Sequence, residues 1–235
     1  MAQALPNVAS AGGRPGTLTE ALLASTIGRK AVMAVTGVIL FAYVLGHMVG
    51  NLQVFMGPEA MDAYAKFLHT FLHGGGIWIA RAVLLAAVGL HIWAAWSLTL
   101  TSWKARPVGY KKVAHEESTY ASRTMRWSGP ILLLFIVFHL LDLTTGNFNP
   151  GFVPGEAYRN LVASFQRPWV AGFYIVAMLS LALHMRHGVW SMLQSIGVSH
   201  PRYDAWRKSA ALIFTILVCG GFMLVPLAIV AGIVK

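Results

Sequence analysis

Four histidines stand alone inside strongly apolar stretches: His47 in AYVLGHMVGN, His91 in AVGLHIWAAW, His139 in FIVFHLLDL and His184 in LALHMRHGVW. An ionisable side chain among aliphatic neighbours is costly, so each ring needs a partner. A neutral imidazole suits an axial position on haem iron, because the metal takes one ring nitrogen while the other donates to a nearby oxygen. Two haems ligated by histidine on both faces need four such rings. For one isolated histidine a hydrogen bond to a neighbouring helix is the more ordinary explanation. Four on four successive apolar segments shift the balance to haem.

The elements that must position these rings are long and apolar. Five stretches reach the roughly 20 residues that a membrane-spanning helix needs: Ala31 to Val54, Ile77 to Trp103, Trp127 to Thr145, Trp169 to Leu193 and Ala210 to Val234. Hydrophobic residues make up 57% of the chain and charged ones only 11%, a deficit of charge that fits lipid rather than water. The expected fold is an all-α, polytopic membrane protein, a five-helix bundle enclosing two haems, with a tail over residues 1–28 and one membrane domain over residues 29–235. Tryptophans at the span ends (Trp78, Trp103, Trp127, Trp169 and Trp190) suit the headgroup level. Between the first two spans, MDAYAKFLHTFLH has apolar residues at helical spacing and runs into Gly74, Gly75 and Gly76; it reads as a short helix lying at the membrane surface.

The formal charge of +10 does not point to nucleic acid, because the bases form no stripe or aromatic-interleaved patch. They sit in loops. With the N-terminus inside, 13 Lys and Arg fall on the inner side and five outside, so the positive-inside rule places the N-terminus in the cytoplasm. Residues 1–28 lack the basic, apolar and cleavage regions of a signal peptide. The single cysteine, Cys219, excludes a disulfide within the chain and a cysteine-held iron–sulfur cluster. Asp142 is the only acid within a span, which argues against a continuous carboxylate proton wire.

Depth follows from the helical rise. His47 lies roughly 27 Å above Arg29 and His139 roughly 20 Å above Arg126, while His184 lies roughly 24 Å inward from Pro168 and His91 is near mid-membrane. His47 is outermost and His184 innermost, and depth alone leaves open which middle histidine joins which end. Gly37, Gly46, Gly50 and Gly89 flank the sites and allow close approach of a macrocycle or of another helix. Inner bases, among them Arg106, Lys111, Arg126 and Arg186, could neutralise haem propionates or grip a partner subunit, although topology control alone explains most of them.

The segments TGVILFAYVLGHMVGNLQVF with YAKFL, LHIWAAWSLTL with ARPVGY, GPILLLFIVFHLLDL and HMRHGVWSMLQSIG together resemble the diheme cytochrome b membrane anchor, of the single-polypeptide type, of succinate dehydrogenase and fumarate reductase, complex II. The resemblance runs from about Gly28 to about Arg207. It implies that His47 and His139 ligate a haem b far from the catalytic subunits and that His91 and His184 ligate a nearer one. His187 is the rival to His184; the family's ligand is followed four residues later by the glycine that is Gly188 here, which leaves His187 for a propionate or a quinone. Asn51, Gln53, His69 and His73 fall in a stretch that contributes to quinone binding in the family, with simple solvation at the membrane surface as the plain alternative.

The implied partners are a flavoprotein and an iron–sulfur protein on the cytoplasmic side of a bacterial inner membrane, together with membrane lipid, a quinone (menaquinone rather than ubiquinone by analogy) and a possible higher oligomer of the complex. The implied activity is that of a succinate:quinone oxidoreductase of the respiratory chain and tricarboxylic acid cycle. Two competing readings are the anchor cytochrome b of another quinone-linked dehydrogenase and a haem-free anchor or transporter. One ligand on each of four helices argues against a cytochrome that pairs its ligands within two helices, and the sequence carries no sign of the broken helices and buried charge of a transporter.

Overall fold

A computed structural model describes residues 17, 20, 23–105, 120–198 and 200–235. Among these the regular elements are helical. Helix α1 covers Thr26–Asn51, α2 Pro58–Thr70, α3 Gly75–Lys104, α4 Tyr120–Leu143, α5 Ala157–Phe165, α6 Pro168–Ser195 and α7 Asp204–Val230. Five of them, α1, α3, α4, α6 and α7, are long and apolar enough to cross a membrane. The short α2 and α5 lie at one end of the bundle, hereafter the capped end; the opposite end, where α1 and α7 begin, is the basic end.

Local chemistry sets the helix limits. Ser25 caps α1, its Oγ accepting from Gly28 N at 2.9 Å, and α6 starts on Pro168, whose missing N–H costs nothing in the first turn. Helix α7 begins at Asp204, six residues before the expected Ala210, because Asp204, Arg207 and Lys208 pair within its first turns. It ends at Val230, short of the expected Val234: Gly232 has φ 71°, Ile233 N donates to Ala228 O and Gly232 N to Ile229 O, the paired bonds of a Schellman stop. Helix α4 likewise begins before Trp127. Hydropathy locates apolar centres, whereas polar first turns lie beyond its reach. The surface helix expected in the first loop is α2, entered through Gly57 at φ 95°. It leaves by a left-handed corner in which Leu72 (φ 51°, ψ 47°), His73 (φ 55°, ψ 33°) and Gly74 (φ 84°) succeed one another.

Helix α6 is central and packs on α4, α7 and α1, while α1 pairs with α3. Large apolar side chains such as Leu85 and Ile213 face outward, 71% and 58% exposed, as lipid requires. Inside, Met48, Met185, Val218 and Cys219 join α1, α6 and α7. A second cluster at the capped end, including Val54, Leu161, Phe165, Val170 and Ile229, seats α5 on α6 and α7. Without a hydrophobic drive between helices in lipid, such contacts hold by dispersion and close approach. Gly50 shows this: a Cβ there would meet Tyr64 Cε1 at 2.7 Å, so the missing side chain lets the α2 ring lie against α1.

Candidate functional site: two facing histidine pairs

The four histidines converge in two couples. His47 on α1 faces His139 on α4 with ring centroids 5.7 Å apart; His91 on α3 faces His184 on α6 at 6.3 Å. Neither α1 with α4 nor α3 with α6 is a closely packed helix pair, so the rings meet across a gap between helices that are otherwise held by their neighbours. All four rings are half-buried.

An imidazole nitrogen bonds a first-row metal at about 2.0–2.1 Å, and the ring centre lies about 1.1 Å beyond that nitrogen, so two imidazoles on opposite faces of one ion have centroids roughly 6.3 Å apart. The His91–His184 separation equals that value, and the His47–His139 separation at 5.7 Å lies a little inside it. The donor set therefore fits bis-histidine ligation of two haems.

The second nitrogen of three rings is held by a hydroxyl. His91 Nδ1 lies 3.1 Å from Thr36 Oγ1 on α1, His184 Nδ1 3.2 Å from Ser128 Oγ on α4 and His139 Nδ1 3.2 Å from the Tyr174 hydroxyl on α6. Each hydroxyl already sends its own proton elsewhere: Thr36 to Val32 O at 2.7 Å, Ser128 to Met125 O at 3.3 Å and Tyr174 to Asp142 Oδ2 at 3.1 Å. At Thr36 and Tyr174, where the hydroxyl proton goes to a close carbonyl or to a carboxylate, the oxygen accepts from Nδ1–H and leaves the Nε2 lone pair of His91 and His139 for a metal; Ser128 stands at the same place beside His184 Nδ1. His47 differs. Asn51 Nδ2 donates to His47 O at 2.8 Å and lies 3.4 Å from His47 Nε2, while Tyr43 stacks on the His47 ring at 5.3 Å and Phe222 approaches it at 5.8 Å.

A charged cluster that sequence reasoning missed stands behind His139. Asp142 is wholly buried; its Oδ1 takes Arg167 Nη2 at 2.6 Å, and its Oδ2 takes Ser164 Oγ at 2.5 Å as well as the Tyr174 hydroxyl. A buried carboxylate needs this full set of donors to persist. The sequence signal was present in Asp142 itself, the one acid within a span, but its partners sit on α5, α6 and the turn between them.

The other expected site residues divide. Gln53 is half-buried in the 3-10 turn Leu52–Met56, and Asn51 touches His47. His69 and His73 are exposed on α2 and its corner, and neither has a hydrogen bond or ring contact to Asn51 or Gln53 among the described residues. Arg126 is exposed and lies over the Trp103 ring at 5.7 Å; Arg186 is exposed. His187 sits against Trp190 at 5.9 Å, with a buried Nδ1 that has no hydrogen-bond partner among the described residues. Arg106 and Lys111 lie outside the described residues. The buried guanidinium at the basic end is Arg207, not singled out from sequence, paired to Asp204 at 2.9 Å with its Nε unbonded.

Comparison with curated proteins and with solved structures finds no match. The family model of the succinate dehydrogenase/fumarate reductase transmembrane subunit matches residues 95–224, from the last turns of α3 to within α7, and takes in His139, His184, Asp142 and Tyr174. That match spans more than half of the chain, and five helices of membrane-crossing length accompany it: the chain belongs to the succinate dehydrogenase/fumarate reductase transmembrane subunit family.

Proposed function

We propose that this chain is the diheme, single-polypeptide anchor of a succinate:quinone oxidoreductase, which carries electrons from an iron–sulfur subunit across the bilayer to a quinone. The observation that carries the reading is the pair of histidine couples, 5.7 Å and 6.3 Å between ring centres, set across helices that do not otherwise pack. When bound, two b haems supply one-electron carriage at these positions. His47 and His139 hold one near the capped end, and His91 and His184 hold the other nearer the basic end. Thr36 and Tyr174 orient His91 and His139 by accepting from Nδ1–H, and Ser128 stands beside His184 Nδ1.

The basic end faces the cytoplasm of a bacterium and receives the flavoprotein and iron–sulfur subunits; its excess of Lys and Arg supports that sidedness. Arg106, Lys111, Arg126, Arg186 and His187 serve propionate or subunit contacts there. Asn51 and Gln53, beside His47 at the capped end, belong to the quinone site, with menaquinone the favoured quinone and His69 and His73 at the entrance. Succinate is handled by the partner subunits.

The test is a reduced-minus-oxidised visible spectrum of the complex purified through this chain, with haem counted as the pyridine haemochrome. The expected result is two b haems per chain, both reduced by succinate, with His139→Ala and His184→Ala each losing one. A haem-free complex overturns the proposal.

A further inference from the structure

The two couples are not supported alike. Behind His91 and His184 stand neutral hydroxyls that end on backbone carbonyls. Behind His139 stands a directed chain that ends on a charge: His139 Nδ1–H to the Tyr174 oxygen at 3.2 Å, Tyr174 O–H to Asp142 Oδ2 at 3.1 Å, and Asp142 Oδ1 to Arg167 at 2.6 Å. Asp142 has no exposed surface and Tyr174 is 6% exposed, so water does not dilute the chain. A hydrogen bond whose acceptor is itself polarised by a carboxylate is stronger than a neutral one. It draws the Nδ1 proton away from the ring and leaves Nε2 more electron-rich, which is how groups outside the ligand set tune a metal.

We infer that Asp142 and Tyr174 are positioning residues for His139: Tyr174 fixes the ring's tautomer and orientation, and Asp142, acting through Tyr174, makes it a stronger donor than the other three histidines. Arg167 occupies the other carboxylate oxygen, Oδ1, and Ser164 donates to Oδ2 beside Tyr174, so the carboxylate is held in place. The consequence is an asymmetry built by the protein, in which the iron bound by His139 is harder to reduce than it would be with a hydroxyl support of the neutral kind. This inference rests on the haem reading above.

The test is a potentiometric titration of the purified complex, read at the visible α-band and by low-spin electron paramagnetic resonance, for wild type, Tyr174→Phe, Asp142→Asn and the double variant. The component belonging to His139 is the one that disappears in His139→Ala. In Tyr174→Phe that component should shift toward easier reduction by about tenfold in its equilibrium, 59 mV for one electron, with the other component unmoved. Asp142→Asn should shift it the same way, and adding Asp142→Asn to Tyr174→Phe should add little, since the carboxylate acts through the phenol.

Tyr174→Phe keeps the Asp142–Arg167 pair and decides the matter alone if Asp142→Asn does not accumulate. Selective loss of the His139 haem in Tyr174→Phe also supports positioning. An unmoved potential in Tyr174→Phe, an equal Asp142→Asn shift in both backgrounds, or loss of both haems together overturns the inference. A wild-type complex without haem overturns the reading beneath it instead.

Discussion

The capped end and the basic end of this bundle solve the burial of charge in opposite ways. At the capped end Asp142 is wholly buried, and Arg167, Ser164 and Tyr174 together satisfy it, under a lid whose Asn149 and Asn160 bond backbone groups at 2.7–2.9 Å. At the basic end Arg207 is buried, yet its Nε and the Nδ1 of His187 have no partner among the described residues, and its acid, Asp204, is shared with Lys208 and Trp190. One end is a closed polar network. The other carries donors in surplus, which is what a surface that meets acidic groups of a cofactor or partner requires.

The largest expected difference comes from removing one arginine at each end. Arg167→Met leaves Asp142 buried without its cation and should cost about 3 kcal/mol, the low end for a broken buried pair because Arg167 keeps some exposure. Thermal unfolding of the purified complex should fall by roughly 6–12 °C. Arg207→Met leaves Asp204, a third exposed, with Lys208 and Trp190, and should cost about 1 kcal/mol. Equal losses would erase the contrast.

Close packing gives the next test. Gly50→Ala drives a Cβ to 2.7 Å from the rigid Tyr64 ring and should cost about 1–3 kcal/mol. Gly221→Ala meets Met48 Sδ at 2.6 Å, but a thioether can turn aside, so its melting temperature should fall less. A larger fall for Gly221→Ala would place the tighter joint in mid-bundle.

The smallest effect concerns the hydroxyl supports. If His184 ligates a haem as proposed, Ser128→Ala removes its neutral hydroxyl support and should change that haem's reduction equilibrium only about twofold to threefold, as one neutral hydrogen bond allows. A shift matching that of Tyr174→Phe would mean that the carboxylate behind Tyr174 adds nothing.

How far these features were readable from sequence depends on whether the physics is local. Five apolar runs and four isolated imidazoles are legible because hydropathy and the cost of a polar group in lipid act residue by residue. The short helix Pro58–Thr70 was legible too, because its apolar spacing is periodic. The starts of α4 and α7 were not, since polar first turns such as Asp204–Lys208 fall outside any apolar window. The Asp142 network was half visible. One acid in a span announces a partner, but Ser164, Arg167 and Tyr174 lie 22 to 32 positions away, and only the fold of α5 over α6 brings them to it. Arg207 was hidden in a crowd of bases that all serve topology equally well. Depth ranked the histidines and left their pairing open; in the fold His47 faces His139 and His91 faces His184.

Among the described residues, the corner between α2 and α3 is where non-glycine backbone takes positive φ. Leu72 and His73 hold left-handed dihedrals that disfavour any side chain with a Cβ, at about 1 kcal/mol or more each. Glycine at either position would relieve that tension and tighten the chain's grip on the same bend, whereas proline, locked near φ −65°, could never be accommodated there. This hairpin is thus a site where natural variation should run toward the smallest amino acid, and Leu72, which has no part in the proposed quinone site, is where an engineer seeking a hardier chain can begin.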